Sequence, residues 1–332
     1  MPAELRRGSR GEAVRDLQAR LAALGHDVGP DEPGEFGDGT EAAARAFQEA
    51  RRLRVDGVVG RQTWATVVES GFALGDRLLY FRRPMLRGDD VAELQHRLNA
   101  LGFDAGREDG ILGLETHDAL HEFQRAAGLA ADGICGPTTL GDLMRVGSFA
   151  GSSSASLRER ERMRDGTRRL TARKVYVAAK PELVALGERV AKELVDAGAD
   201  ALLDASGNDD TTIAMEANRF DADVFLALRA GDSDRRCAYF ATRDFRSEAG
   251  FAIATAIHEQ LRAVLPGDAD ICGRAYAALR ETRMAAVVCE LVPEGDIDAM
   301  RTLVTHAGDT AKAIVHGLQQ AIEHPALDTE RA

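Results

Sequence analysis

The sequence predicts a multidomain protein: two small three-helix modules, followed by an α/β domain with a mostly parallel sheet flanked by helices. Three observations support this prediction. One pattern occurs twice in the first half of the chain, a Gly/Ser-rich segment follows it, and strand and helix patterns then alternate. The predicted boundaries are 1–72 and 73–146 for the modules, 147–173 for a flexible basic linker, 174–325 for the α/β domain and 326–332 for a tail.

The duplication is clearest in a nine-residue stretch that begins with Asp-Gly. Asp56–Trp64 reads DGVVGRQTW and Asp132–Leu140 reads DGICGPTTL, with Asp, Gly, Gly and Thr at the same offsets. A set of upstream residues also recurs 77 positions later: Val14, Leu17, Gln18, Leu21, Leu24 and Gly25. Phe47 and Gln48 recur as Phe123 and Gln124. A fixed internal repeat of this kind indicates two copies of one structural unit.

Each copy predicts three helices. In the first copy, apolar residues at helical spacing form a helix that ends at Gly25. Thr40 is the predicted N-cap of the second helix, and a third short helix begins near Thr63. Between the copies, the apolar segment Asp76–Pro84 predicts either a short strand or the seam between the modules.

The repeated pattern, Gly-x-x-Val-x-x-Leu-Gln-x-x-Leu, then Phe-Gln, then Asp-Gly-x-x-Gly-x-x-Thr, resembles the peptidoglycan-binding domain type 1 family. The resemblance implies a groove beside the Asp-Gly turn that binds cell-wall glycan or stem peptide. Turn chemistry and helix support also account for the same residues, and both explanations stay open. Trp64 aligns with Leu140, which favours a core position. The candidate ligand-binding residues are Asp56, Gly57, Gly60, Thr63, Trp64, Asp132, Gly133, Gly136 and Thr139.

The composition excludes some classes of partner. A net charge of −12 and an aromatic content of 5% argue against nucleic-acid binding, which needs a basic face and stacking side chains. No apolar run is long enough to span a membrane, so the chain is not expected to be an integral membrane protein. The N-terminal residues do not resemble a secretory signal, and the four cysteines are scattered. We expect a cytoplasmic protein that meets membranes only through partners.

Strand and helix patterns alternate after the linker. The predicted strands are Val175–Ala179, Ala201–Asp204, Val224–Leu228, Cys237–Ala241 and Ala286–Leu291. The predicted helices are Glu182–Ala197, Thr211–Phe220, Ser247–Leu265 and those within Ile297–Ile322. This alternation is typical of a mostly parallel sheet that helices cover on both faces.

Two segments of this domain, Glu216–Gly231 and Arg283–Leu291, resemble the zinc-dependent N-acetylmuramoyl-L-alanine amidases. That chemistry needs two histidines and a glutamate on zinc, with a carboxylate as the base. The resemblance implies that Glu290 occupies the base position and that Arg229 stands in place of a zinc histidine. The loop that carries the family's first histidine is missing after Ala179. We therefore expect vestigial site residues, no metal, no cofactor and a catalytically dead homologue, with Glu290 paired to Arg229 or Arg283.

The remaining histidines do not supply a second metal site. His258, His306 and His316 lie in helical patterns away from the strand ends. His117 and His121 stand four residues apart in the second module, but no third ligand is apparent, so we expect a solvated helix face there.

Tandem modules joined to an amidase-like domain resemble a group of actinobacterial cell-wall regulators. The resemblance implies a non-catalytic regulator or scaffold of peptidoglycan biosynthesis. Its implied partners are a MurA-like enolpyruvyl transferase, a MurJ-like flippase, a Ser/Thr kinase and a peptidoglycan fragment or precursor. Thr329 is the candidate modification site. Two alternatives are an active zinc amidase with a remodelled metal site and a cytoplasmic sensor of muropeptides or lipid-linked precursors.

Overall fold

A computed structural model describes residues 4–147, 169–232, 235–242, 245–267 and 269–323. The chain divides into two compact units, one formed by Met1–Arg158 with Arg243–Phe245 and the other by Glu159–Thr242 with Arg246–Ala332. Most of the predicted linker, the tail and Thr329 lie outside the described residues. The first unit holds both modules, and the second holds the α/β domain.

Both modules are built from three helices, as the repeat predicts. The six helices are α1 (Glu12–Ala23), α2 (Asp38–Ala50), α3 (Arg61–Glu69), α4 (Asp89–Ala100), α5 (Leu114–Ala126) and α6 (Pro137–Gly147). The first helix of each module buries leucines at helical spacing, such as Leu17, Leu21, Leu94 and Leu98, all fully shielded from solvent. The second helices add Phe47 and Phe123 to these two cores.

The predicted N-cap at Thr40 is wrong. Helix α2 starts two residues earlier, with Gly37 at the N-cap position. Thr40 is fully buried, and its hydroxyl accepts a hydrogen bond from the Gln18 side-chain amide at 3.0 Å. The threonine is placed by the need to satisfy a buried amide, which a local capping rule does not consider.

The segment between the modules contains a strand, one of the two predicted alternatives. Strand β1 (Leu79–Tyr80) pairs antiparallel with β2 (Ile134–Cys135). The first module has a matching isolated bridge between Leu5 and Val59. The chain entering each module is therefore paired with the strand-like residues that follow its Asp-Gly turn.

The second unit contains a six-stranded sheet. Its strands are β3 (Lys174–Ala179), β4 (Asp200–Asp204), β5 (Val224–Gly231), β6 (Arg235–Phe240), β7 (Ala269–Arg274) and β8 (Ala285–Pro293). They lie in the order β4-β3-β5-β8-β6-β7, and all neighbouring strands are parallel except β6 and β8. The helices are α7 (Val184–Asp196), α8 (Asp210–Phe220), α9 (Glu248–Arg262), α10 (Ala277–Arg280), α11 (Ile297–Thr305) and α12 (Ala307–Glu323).

The predicted strands and helices of this unit are confirmed, but one strand was missed. Strand β7 lies at an edge of the sheet and contains Asp270, Gly273 and Arg274, so it lacks the apolar pattern of a buried strand. The central strands β5 and β8 bury Leu226, Leu228, Val287 and Cys289 completely. These two strands form the centre of the sheet, and the candidate site lies at their carboxyl ends.

Candidate functional site

The candidate site lies at the carboxyl ends of β5 and β8. These strands are parallel, and Arg229 and Glu290 are neighbours in the register. Crevices at the carboxyl ends of parallel strands are the usual ligand sites of open α/β sheets. Asp210, the first residue of helix α8, and Lys180, just after β3, reach the same place.

Arg229 and Glu290 form a tight ion pair. The Arg229 guanidinium donates to Glu290 Oε1 from Nε at 3.1 Å and from Nη2 at 2.8 Å. The Glu290 side chain is 3% exposed and that of Arg229 is 15% exposed. The predicted pairing with Arg229 is confirmed, because a carboxylate buried to this degree needs a cationic partner.

The second cation on Glu290 is Arg236 rather than the predicted alternative, Arg283. Arg236 Nε in β6 lies 3.3 Å from Glu290 Oε2. Strand β6 runs antiparallel to β8 and places Arg236 opposite Glu290 in the register. This neighbour could not be read from the sequence, because it depends on which strand joins the sheet beside β8. Arg283 instead uses its backbone amide to donate to the side chain of Asn218.

The network continues to Asp210 and Lys180. Arg229 Nη1 donates to Asp210 Oδ2 at 3.2 Å, and Lys180 Nζ lies 3.7 Å from Asp210 Oδ1. Burial alone would lower the pKa of Arg229, but the carboxylates of Asp210 and Glu290 outweigh burial and raise that pKa above its ordinary value. The guanidinium therefore stays charged at every pH at which the protein is folded.

Tyr276 packs against the Arg229 guanidinium. The Arg229 guanidinium carbon lies 4.2 Å from the centre of the Tyr276 ring, a cation–π contact. Tyr276 is 1% exposed, and its hydroxyl has no hydrogen-bond partner in the part of the chain that the structure describes. Burial, together with the Glu290 charge, raises the pKa of Tyr276 to about 12. The phenol is thus held neutral.

These residues do not fit a zinc site. Zinc needs carboxylate or imidazole lone pairs that are free to coordinate, with an open position for water. Here Arg229 donates two hydrogen bonds to Glu290 Oε1, Arg236 lies 3.3 Å from Oε2, and the positive charge of these two guanidinium groups would repel the ion. Within the described ranges, no group of three or more His, Cys, Asp or Glu residues is arranged to hold a metal. The neighbouring pocket encloses only about 10 Å³ and is lined mainly by apolar side chains with Lys180, Asp210 and Arg229.

The repeated Asp-Gly turns are organised by buried glutamines. Gln48 Nε2 donates to Asp56 Oδ1 at 2.9 Å, to the Val58 carbonyl and to Thr63 Oγ1. Its Oε1 accepts from the Gly57 amide at 2.8 Å. The sequence showed that Gln48 and Gln124 recur but gave no reason for it. The structure shows that one amide side chain ties the whole turn together.

Gln124 makes the same contacts in the second module. It donates to Asp132 Oδ1, to the Ile134 carbonyl and to Thr139 Oγ1, and it accepts from the Gly133 amide. Hydrogen bonds from the Ile134 amide and from Gln124 lower the pKa of Asp132. The first helix of each module contains an equivalent glutamine. Gln18 Oε1 accepts a hydrogen bond from the Gly34 amide, and Gln95 Oε1 accepts one from the Gly110 amide.

Six of the nine candidate ligand residues have structural roles in these turns: Asp56, Gly57, Thr63, Asp132, Gly133 and Thr139. Gly57 and Gly133 adopt φ values of 72° and 70°, the left-handed region that favours glycine, and both are buried. Thr63 and Thr139 are buried beneath the turn. Asp132 is exposed, and Asp56, Gly60, Trp64 and Gly136 are half-buried. Direct ligand contact by these residues stays a prediction.

The two histidines of the second module do not form a solvated helix face. His117 and His121 on α5 are half-buried, and their ring centroids lie 4.5 Å apart in an edge-to-face arrangement. Both rings pack against Gly133, where a Cβ atom would come within 2.5 Å of His117. Their expected exposure was wrong because the glycine turn leaves room for the rings.

Comparisons with known proteins agree with this architecture. A family model described as "Putative peptidoglycan binding domain" matches residues 10–67 and 87–143. The chain is 31% identical over 158 residues to the N-acetylmuramoyl-L-alanine amidase CwlL of Bacillus licheniformis, covering 41% of this chain and 43% of that protein. Among solved structures, the amidase AmiC2 of Nostoc punctiforme is 14% identical with a TM-score of 0.37, covering 45% of this chain and 98% of that one. The chain is thus a peptidoglycan-related, amidase-like protein with two peptidoglycan-binding-type modules.

Another curated relative is CwlM. The chain is 43% identical over 185 residues to the N-acetylmuramoyl-L-alanine amidase CwlM of Mycobacterium tuberculosis, covering 52% of this chain and 45% of that protein. It is a CwlM-like protein, and it spans about 45% of the length of this relative. None of the helices that the structure describes is long and apolar enough to cross a membrane.

Proposed function

We propose that the protein is a pseudo-amidase, a non-catalytic regulator or scaffold of peptidoglycan biosynthesis. The observation that carries this proposal is the ion-pair network of Arg229, Glu290 and Arg236 at the strand ends that the resemblance assigns to the metal and the base. Two guanidinium groups balance the charge of Glu290, and Arg229 donates two hydrogen bonds to its Oε1, so the carboxylate is paired as a structural group. The domain then serves as a folded platform for other proteins.

We place this activity in the cytoplasm, with partners taken from the resemblance to CwlM-like regulators. The proposed partners are a MurA-like enolpyruvyl transferase, a MurJ-like flippase and a Ser/Thr kinase. A peptidoglycan fragment or precursor is the proposed small ligand of the modules, which match a peptidoglycan-binding family.

The test of this proposal is amidase turnover. Purified protein is incubated with a muramyl peptide in the presence of zinc, beside the Glu290→Ala variant and an authentic zinc amidase. We expect no release of stem peptide by the wild-type protein above the level of Glu290→Ala. Turnover that depends on Glu290 would overturn the proposal.

One alternative is an active amidase with a remodelled metal site, which the names of the relatives favour. It requires zinc ligands other than those at the ends of β5 and β8. Zinc binding by the wild-type chain together with amidase turnover that is lost in Glu290→Ala would support it, and an absence of bound zinc would remove it.

A second alternative is a sensor of muropeptides or lipid-linked precursors through the modules. Calorimetric titration of the intact chain with a disaccharide-peptide is the direct test. An absence of binding heat at millimolar ligand would remove this alternative.

A further inference from the structure

One surface of the module carries different side chains in the two copies. The bridge between Leu5 and Val59 corresponds to the pair Leu79 and Cys135, and helix α5 starts 76 residues after α2. These correspondences align the residues that surround each Asp-Gly turn. We call this surface the turn face.

In the first module the turn face is charged. Arg7 and Asp38 form an ion pair at 2.8 Å, and Glu41 and Arg45 form another at 3.2 Å. The six aligned positions are Glu4, Arg6, Arg7, Asp38, Glu41 and Arg45. Such a face is a solvated surface and needs no partner.

At the six aligned positions of the second module, four side chains are apolar or aromatic and two are histidines. The aligned residues are Leu78, Tyr80, Phe81, Leu114, His117 and His121. Leu78 is 52%, Tyr80 39% and Leu114 55% exposed. Phe81 contacts the His117 ring at 5.8 Å between centroids, and Tyr80 pairs across the ribbon with Ile134, which is 37% exposed.

Phe81 packs against the core of the second module, but the core does not explain the exposed Leu78, Tyr80 and Leu114. The first module folds with charged residues at the aligned positions, so the fold does not require apolar ones there. Contiguous exposed apolar patches of roughly 300 to 600 Å² on a soluble protein commonly mark interaction sites. We propose that the turn face of the second module is a docking surface for a short apolar segment of a partner protein.

Charge indicates this type of occupant. Arg82 and Arg83 follow directly after the patch, are exposed, and make no ion pair within the described ranges, so they would attract an acidic residue next to the apolar segment. The net charge of −12 opposes association with a second copy. This docking surface does not depend on whether the amidase-like domain is active.

The experiment uses a library of random twelve-residue peptides displayed on phage, selected on the intact chain. The test variant Leu78→Glu, Tyr80→Arg, Leu114→Asp installs the residues of the first module. The matched control is Met215→Arg, Ile297→Glu, Val304→Asp, with the same charge change at exposed apolar positions of the other unit. We expect selected peptides to combine apolar and acidic residues, to bind the wild-type chain and the control alike by fluorescence anisotropy, and to bind the test variant at least ten-fold more weakly.

Three results would overturn the proposal. One is that no peptide is enriched; another is that enriched peptides bind the test variant as tightly as the wild-type chain. The third is that the test variant loses a dimer seen by analytical ultracentrifugation, or loses binding to a disaccharide-peptide. That last result would assign the face to a second copy or to a glycan. Circular dichroism of the variants verifies that they are folded.

Discussion

Arg229 is the residue on which the account of the strand-end site depends. It holds Glu290 by two hydrogen bonds and reaches Asp210 with its remaining nitrogen. One cation thus balances two carboxylates at the strand ends. Removing it leaves an uncompensated charge in the interior, which costs more than the net gain from the pair.

We therefore expect Arg229→Met to lower the free energy of unfolding by about 3 to 5 kcal/mol. The control is Arg219→Met, which removes an exposed arginine from a surface pair with Glu216 on helix α8 and should change stability little. Urea unfolding followed by circular dichroism measures both. Equal losses of unfolding free energy for the two substitutions would show that the buried network stabilises the protein no more than a surface ion pair does.

Tyr276 gives a prediction with a pH dependence. Its hydroxyl is buried without a partner among the described residues, so Tyr276→Phe should raise stability at neutral pH by about 1 kcal/mol. Its pKa is raised to about 12 in the folded chain against about 10 when unfolded. Between these values the unfolded chain loses the proton first, so the wild-type protein loses stability as pH rises.

Thermal unfolding between pH 8 and 12 tests this point. The wild-type melting temperature should fall above pH 10, and Tyr276→Phe should lessen that fall. Identical alkaline profiles for the two proteins would contradict the proposed burial of a neutral phenol beside Glu290.

At the scale of elements, each module is a set of helices held together by turns that a glutamine completes. Gln124 satisfies the Gly133 amide and three acceptors, one of them in the first turn of α6. Because Gly133 and Thr139 are buried, water cannot replace the side chain without cost. The turn and the helix that follows it are thus one structural unit.

Gln124→Ala should lower the free energy of unfolding of the first unit by about 2 to 4 kcal/mol, since several polar groups lose their partner. Glu122→Ala, at an exposed position of the same helix, is the control. Differential scanning calorimetry reports both. A loss for Gln124→Ala no larger than that for Glu122→Ala would show that the glutamine is not the organising residue.

At the scale of the whole molecule, the sequence was most informative where structure is local or repeated. The modules could be predicted because Gln48 and Gln124 recur with their turns, and the strands of the sheet centre because their apolar runs are uninterrupted. The pairing of Glu290 with Arg229 was one of two predicted alternatives, because a buried carboxylate at a strand end needs a cationic partner. The part played by Arg236 and the existence of β7 could not be predicted, because both depend on which strands meet at the edge of the sheet beyond β8.

The two units also differ in how their function can be approached. The modules match a family model described as a putative peptidoglycan binding domain, and in the α/β unit Arg229 and Arg236 pair with Glu290 at the strand ends. A regulator of this type would combine a ligand or peptide surface on one unit with a non-catalytic platform on the other. The central claim is that this platform holds no catalytic metal.

Zinc content tests that claim most directly. The intact chain, the Glu290→Ala variant and an authentic zinc amidase are incubated with excess zinc, freed of unbound metal and measured by elemental analysis. The account predicts no zinc in the wild-type chain or in Glu290→Ala, and one zinc per chain in the amidase. One zinc per wild-type chain would contradict it, whether or not Glu290→Ala keeps the metal, and would return the domain to the zinc hydrolases.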